Sequence, residues 1–143
     1  MPYCAKPDWI IRSGAVALNE LTASLAPHPV VITTVSATYE QVNAAYRLPL
    51  PLHRGAIHRS FIINNTMDQT AAGDVWAADS LETSANPVVA TNWSITTADR
   101  SSVYDSQANA SLLWAVDGYK WNFNAPTTAA TTGSVTVNIV EVL

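Results

Sequence analysis

Val30-Val31-Ile32-Thr33-Thr34-Val35-Ser36-Ala37-Thr38-Tyr39 is the stretch that decides the fold. Its β-branched Val, Ile and Thr side chains suit a pleated strand, whereas in a helix their χ1 angles are confined by the preceding turn. The runs Ala56 to Asn64 and Val88 to Thr97 repeat that character. All three are expected to be central strands. Near the end of the chain, Ser134-Val135-Thr136-Val137-Asn138-Ile139-Val140-Glu141-Val142-Leu143 alternates apolar and polar residues through Ile139, then moves its apolar positions to Val140 and Val142. Side chains alternate between the faces of a strand, so this change of parity predicts a bulge near Ile139 or a strand end buried on both faces. An ending on Val142-Leu143 with no polar tail predicts a terminus paired in a sheet.

A tight hairpin is expected between these runs. Leu112-Leu113-Trp114-Ala115-Val116 is followed by Asp117-Gly118 and then by Tyr119-Lys120-Trp121-Asn122-Phe123-Asn124. Asp-Gly suits the two positive φ angles of a type I′ turn, and Tyr119, Trp121 and Phe123 share one strand face. One helix is expected, N-capped by Ser13 and running to Leu25, with Val16 or Leu18, Leu21 and Leu25 near helical spacing before Pro27 and Pro29. Strands separated by polar turns, with at most one short N-terminal helix, predict an all-β chain. The expected architecture is a single antiparallel β-sandwich over residues 13–143, jelly-roll or Ig-like, behind an extended N-terminal arm at residues 1–12.

Only 13% of the 143 residues are charged while 48% are apolar, a balance that predicts burial of surface against neighbouring subunits. Two segments carry the character of docking arms. Tyr3, Trp9, Ile10 and Ile11 stand between or beside Pro2 and Pro7. In Leu48-Pro49-Leu50-Pro51-Leu52 alternating proline favours an extended backbone that loses little entropy on docking. Each either clamps a neighbour or crosses the surface of its own sandwich. Arg47, Arg54 and Arg59 lie in a stretch without acids between Glu40 and Asp68, and most acids follow Asp68. A chain so divided is expected to be electrically two-sided, with these arginines either at a subunit contact or in a solvated basic loop.

The net charge of -4 gives no pull toward nucleic acid or anionic membranes, so neither is an expected partner. The opening residues hold Pro2, Pro7 and Asp8 where a secretory signal needs an apolar core, and no apolar run reaches membrane-spanning length. Assembly in a host cytoplasm is therefore expected. Cys4 is the lone cysteine. His53 and His58, five apart, fall on opposite faces of a continuous strand, and Asp68 and Asp74 lack the alternating ligands of a calcium loop. No catalytic motif, metal site or cofactor is expected, and the chain reads as a non-enzyme.

The β-rich chain without disulfides, the Thr/Ala/Asn-rich loop at 125–132 and the terminal strand from Ser134 resemble the small virion proteins of tailed bacteriophages, the capsid decoration or cement proteins in particular. The resemblance implies a structural virion protein, a homo-oligomer (dimer or trimer) that binds the major capsid protein or other virion subunits noncovalently and stabilises the assembled shell. The aromatics support an alternative, a carbohydrate- or receptor-binding module of a virion fibre or tail. Trp121 and Trp114 read as core, and Trp93 is the ring expected to be free for glycan stacking.

Overall fold

A computed structural model describes residues 28–115 and 117–143. The β-branched run forms β1 (Val30–Thr38), and Thr38 ends it by capping a short helix, α1 (Tyr39–Asn43). The Thr38 side chain accepts from the Gln41 amide at 3.2 Å while the Gln41 side chain accepts from the Thr38 amide at 2.9 Å, a reciprocal box that satisfies both donors. β2 (Arg47–Leu50), β3 (His58–Asn65), β4 (Ala71–Ala77), β5 (Ala90–Ile95) and β6 (Ser101–Asp105) follow. A 3-10 turn (Ala110–Leu113) precedes β7 (Tyr119–Phe123) and β8 (Ser134–Val142). The expected helix from Ser13 to Leu25 and the arm at 1–12 lie outside the described residues.

Two four-stranded antiparallel sheets result, in the orders β1-β8-β3-β6 and β2-β7-β4-β5. β1 pairs with β8, β2 with β7, β3 with β6 and β4 with β5, so the first half of the chain runs beside the second as a doubled ribbon. Rolling that ribbon up brings β3 against β8 and β4 against β7. Of the two expected topologies this is the jelly roll. β1 and β5 are edge strands and only β3 of the three β-branched runs is interior, because β-branched residues fit a pleated surface at an edge as well as at a centre.

The hairpin at Asp117-Gly118 does not form. Asn109 accepts from the Ser111 amide at 3.0 Å and coils Ala110–Leu113 into the 3-10 turn, and β7 pairs instead with β2 and β4. Gly118 has φ +99°, but with β2 on one side of β7 and β4 on the other no edge is left for a hairpin partner from Leu112 to Val116. Gly118 lacks a side chain for another reason: an added Cβ would lie 2.8 Å from the carbonyl oxygen of Leu50.

The bulge expected near Ile139 is also absent. β8 holds one register against β1 from Ser134 to Val142, with Val135, Val137, Ile139 and Glu141 all inward. The parity never changes; a buried glutamate takes the fourth inward position. The two inner faces meet over Phe61, Ile63, Ile95, Leu48, Leu50 and Trp121, all buried, and each such side chain contributes roughly 1.5–3 kcal/mol by leaving water. The 125–132 loop is pinned by Asn43, whose side chain bonds both the amide and the carbonyl of Ala130 (2.9 and 2.8 Å).

Candidate functional site

Of the arginines expected at a subunit contact, Arg59 is spent inside the fold, while Arg47 and Arg54 are paired with acids at its surface. Arg59, on the inner face of β3, is fully buried and donates from Nε to Glu141 Oε2 at 2.9 Å, from Nη1 to the Leu112 carbonyl at 2.9 Å, and from Nη2 to the His53 carbonyl. Glu141 also accepts from the His53 amide at 3.0 Å and pairs with His53 Nδ1 at 2.9 Å. Burial opposes its ionisation, yet the hydrogen bonds from His53 and Arg59 outweigh that and hold the carboxyl below its ordinary range. Arg47 forms a two-pronged pair with Glu82 (3.0 and 2.8 Å), which Lys120 joins at 2.8 Å. Arg54 faces Asp117 at 3.6 Å, both exposed. Each arginine of the basic stretch thus meets an acid from the second half of the chain. The doubled ribbon overlays the two halves, so the two-sidedness seen in sequence cancels in space.

The Leu-Pro run is likewise not a free arm. Leu48 and Leu50 are buried in the core and Leu52 is half-buried against it, while Pro49 points outward from β2. β2 is an edge strand, a position at which proline costs no ladder bond. Of the expected contact residues, Leu48, Leu50 and Arg59 are therefore interior. Arg47 and Arg54 remain at the surface, and Tyr3, Trp9, Ile10 and Ile11 lie outside the described residues.

Trp93 is not free to stack on a glycan: it is 2% exposed and sits between Phe61, Trp121 and Tyr104, lying flat on the Tyr104 ring with centroids 4.8 Å apart. Among the described residues the exposed tryptophan ring is Trp114, at 67%, displaced from the interior by the 3-10 turn that replaces the expected strand. It borders a cavity of about 290 Å³ that Asp79, Ser80 and Asn86 also line.

The broad surface feature is the outer face of β1-β8-β3-β6. Its cross-strand rows read Val30, Val142 and His58; then Ile32, Val140, Ser60 and Asp105; then Thr34, Asn138, Ile62 and Val103; then Ser36, Thr136, Asn64 and Ser101. Asp105, at one rim, is the sole acid, and no Lys or Arg appears. Val30, Ile32 and Val103 stand 60%, 66% and 58% exposed. A solvated sheet face ordinarily carries polar and charged side chains in alternation with the core. Sequence reading missed this face because its residues come from strands 100 positions apart that only the register brings together.

His58 binds two hydroxyls, Ser106 at 3.2 Å and Ser60 at 3.1 Å, and His53 precedes β3, so the two histidines serve different networks. Asp68 is held by the Thr131 amide and hydroxyl (2.9 and 2.7 Å), whose hydrogen bonds lower its pKa, and Asp74 accepts from the Asn92 amide at 2.7 Å. Among the described residues no group of three or more His, Cys, Asp or Glu side chains converges to hold a metal. Comparison with protein-family models, curated proteins and solved structures finds no match.

Proposed function

We propose that this chain is a structural virion protein that decorates an assembled phage capsid, docking through the outer face of β1-β8-β3-β6. The observation that carries the reading is that face: four strands wide, with Asp105 as its only carboxylate and with exposed Val30, Ile32 and Val103. Such a surface gains by burial and loses little in desolvation, as the centre of a lasting protein interface does. Jelly rolls recur in viral shells and in lectins, and that support is analogy of fold alone. The major capsid protein is the proposed partner. The test bands particles on a density gradient from cells that carry the gene and probes the fractions for the chain. Co-banding is expected, with the double substitution Val103→Lys and Thr136→Lys releasing the chain at unchanged thermal stability. A wild-type chain that stays with free protein refutes the reading.

One observation favours a second reading, a carbohydrate-binding module of a virion fibre or tail. Trp114 presents an exposed ring beside a cavity that offers the polar groups of Asp79, Ser80 and Asn86, and stacking of a sugar on such a ring with hydrogen bonds to its hydroxyls is the chemistry lectins use. Binding to a defined glycan that Trp114→Ala abolishes supports this module. Failure of the wild-type chain to bind any array glycan removes it.

A further inference from the structure

We infer that β1 is a self-pairing edge: two copies of this chain join their β1 strands antiparallel about a twofold axis, extending the β1-β8-β3-β6 sheet into one of eight strands. Edge strands expose unpaired backbone groups, and folded proteins blunt them with charge, proline, bulges or brevity. Three of the four edges here are blunted. β2 has four residues with Arg47 at its start and Pro49 within it. β5 follows a register break opposite Gly73 and Val75 and contains Asn92 at φ +46°. β6 has five residues, is entered from Asp99 and Arg100, and ends on Asp105. β1 has none of these devices. It runs nine residues, Val-Val-Ile-Thr-Thr-Val-Ser-Ala-Thr, with no charge, no proline and an unbroken register against β8.

The free backbone groups can be assigned. At either end of β1, Leu143 donates to the Pro29 carbonyl at 3.0 Å and Tyr39 to the Gly133 carbonyl at 3.1 Å. Hydrogen-bonded pairs recur at every second residue of an antiparallel ladder, so the odd-numbered residues between them bond β8 and the even-numbered ones face away. The Thr38 amide is taken by Gln41. Among the described residues Val30, Ile32, Thr34 and Ser36 have no partner for their amides and carbonyls, which are directed at the outer side of β1. Alongside runs a groove of about 460 Å³ between β1 and β2, lined mostly by apolar side chains such as Val35, Leu48, Pro49 and Leu50, with Asp117 its one charged group, which gives the inward side chains of an added strand a place to rest.

A second copy suits this edge for reasons of charge and symmetry. The chain carries a net charge of -4, so copies repel except where the contact itself is neutral; β1 and β5 are the edges without a charged residue, and of the two only β1 is unbroken. Antiparallel pairing of a strand with its own copy generates a twofold axis and closes the assembly at two. The inference stands apart from the particle reading, since the dimer forms whether or not a capsid is the partner.

The test measures the mass of the full chain by light scattering and the exchange of β1 amides by NMR. Expected are twice the 15.3 kDa chain mass and protection of the Val30, Ile32, Thr34 and Ser36 amides. Thr34→Pro and, separately, Ser36→Pro each remove an edge donor while sparing the β8 ladder, and should raise the dimer dissociation constant at least tenfold with the far-ultraviolet spectrum unchanged. A 15.3 kDa wild-type species with freely exchanging even-numbered amides overturns the inference. So does an oligomer that persists in both proline variants. Protection in a monomer that disappears when residues 1–27 are deleted also overturns it, by assigning the edge to the chain's own N-terminal segment.

Discussion

Arg59→Met removes the guanidinium and leaves Glu141 as a buried carboxylate held by His53 alone. Arg59 and Glu141 are both wholly inaccessible, and the same change strips donors from the carbonyls of Leu112 and His53. Deleting one member of a buried ion pair costs about 3–5 kcal/mol, against a total stability of roughly 5–15 kcal/mol for a domain of this kind. Urea unfolding at neutral pH should show that loss. Glu141→Leu should cost a similar amount, because it strands the arginine. The double variant Arg59→Met/Glu141→Leu should recover most of it, since two apolar side chains can replace a buried pair without an unpaired charge remaining. Single costs below about 1 kcal/mol, or a double variant that loses the sum of the two, refute the coupling. The pair also sets an acid limit. In the unfolded chain a glutamate titrates near about 4.3, and in the fold Glu141 titrates lower, so on acidification the unfolded state takes up the proton first. The contribution of Glu141 is complete above that ordinary value and fades as pH falls through the lowered one. Glu141→Gln should flatten this part of the pH profile.

Trp93→Ala should destabilise the fold by about 3–5 kcal/mol, the usual cost of emptying a large buried aromatic site, measured by thermal and denaturant unfolding; an unchanged melting temperature would mean that the ring is not packed against Tyr104. Gly118→Val should lose at least about 1–3 kcal/mol, because φ +99° is strained for a β-branched residue and its Cβ would meet the Leu50 carbonyl at 2.8 Å. Burial pushes the Tyr119 hydroxyl up to about 12, so an absorbance titration should show one tyrosine ionising about two pH steps late, and stability should decline as pH rises from about 10 through that value. Tyr119→Phe abolishes the late step and frees the 3-10 turn, whose Ser111 and Trp114 carbonyls the hydroxyl reaches.

Composition and periodicity carried much of the architecture. The strand class of Val30 to Tyr39, Ala56 to Asn64 and Val88 to Thr97 holds, as does the shared buried face of Tyr119, Trp121 and Phe123. What local signals could not supply was partner choice. Asp117-Gly118 reads as a hairpin because its chemistry permits one, but the glycine answers to the Leu50 carbonyl, a contact 68 positions away. Trp93 and Trp114 exchanged their expected environments for the same kind of reason, since burial of the first depends on Tyr104 and Phe61 while exposure of the second follows from Asn109 capping a turn.

Glu141 carries this furthest. Read alone, a glutamate in an otherwise alternating strand looks like an outward residue, and moving it outward forces Val140 and Val142 inward and demands a bulge. Arg59 removes that demand, for a carboxylate is admitted to a core when a guanidinium and a backbone amide already wait there to satisfy its oxygens. Keeping Glu141 inward turns Val140 and Val142 out, onto the very face that is short of charge and beside the β1 edge. The buried ion pair and the apolar outer surface are therefore two consequences of one register. A β-strand with period two cannot bury its only acid without exposing the valines on either side.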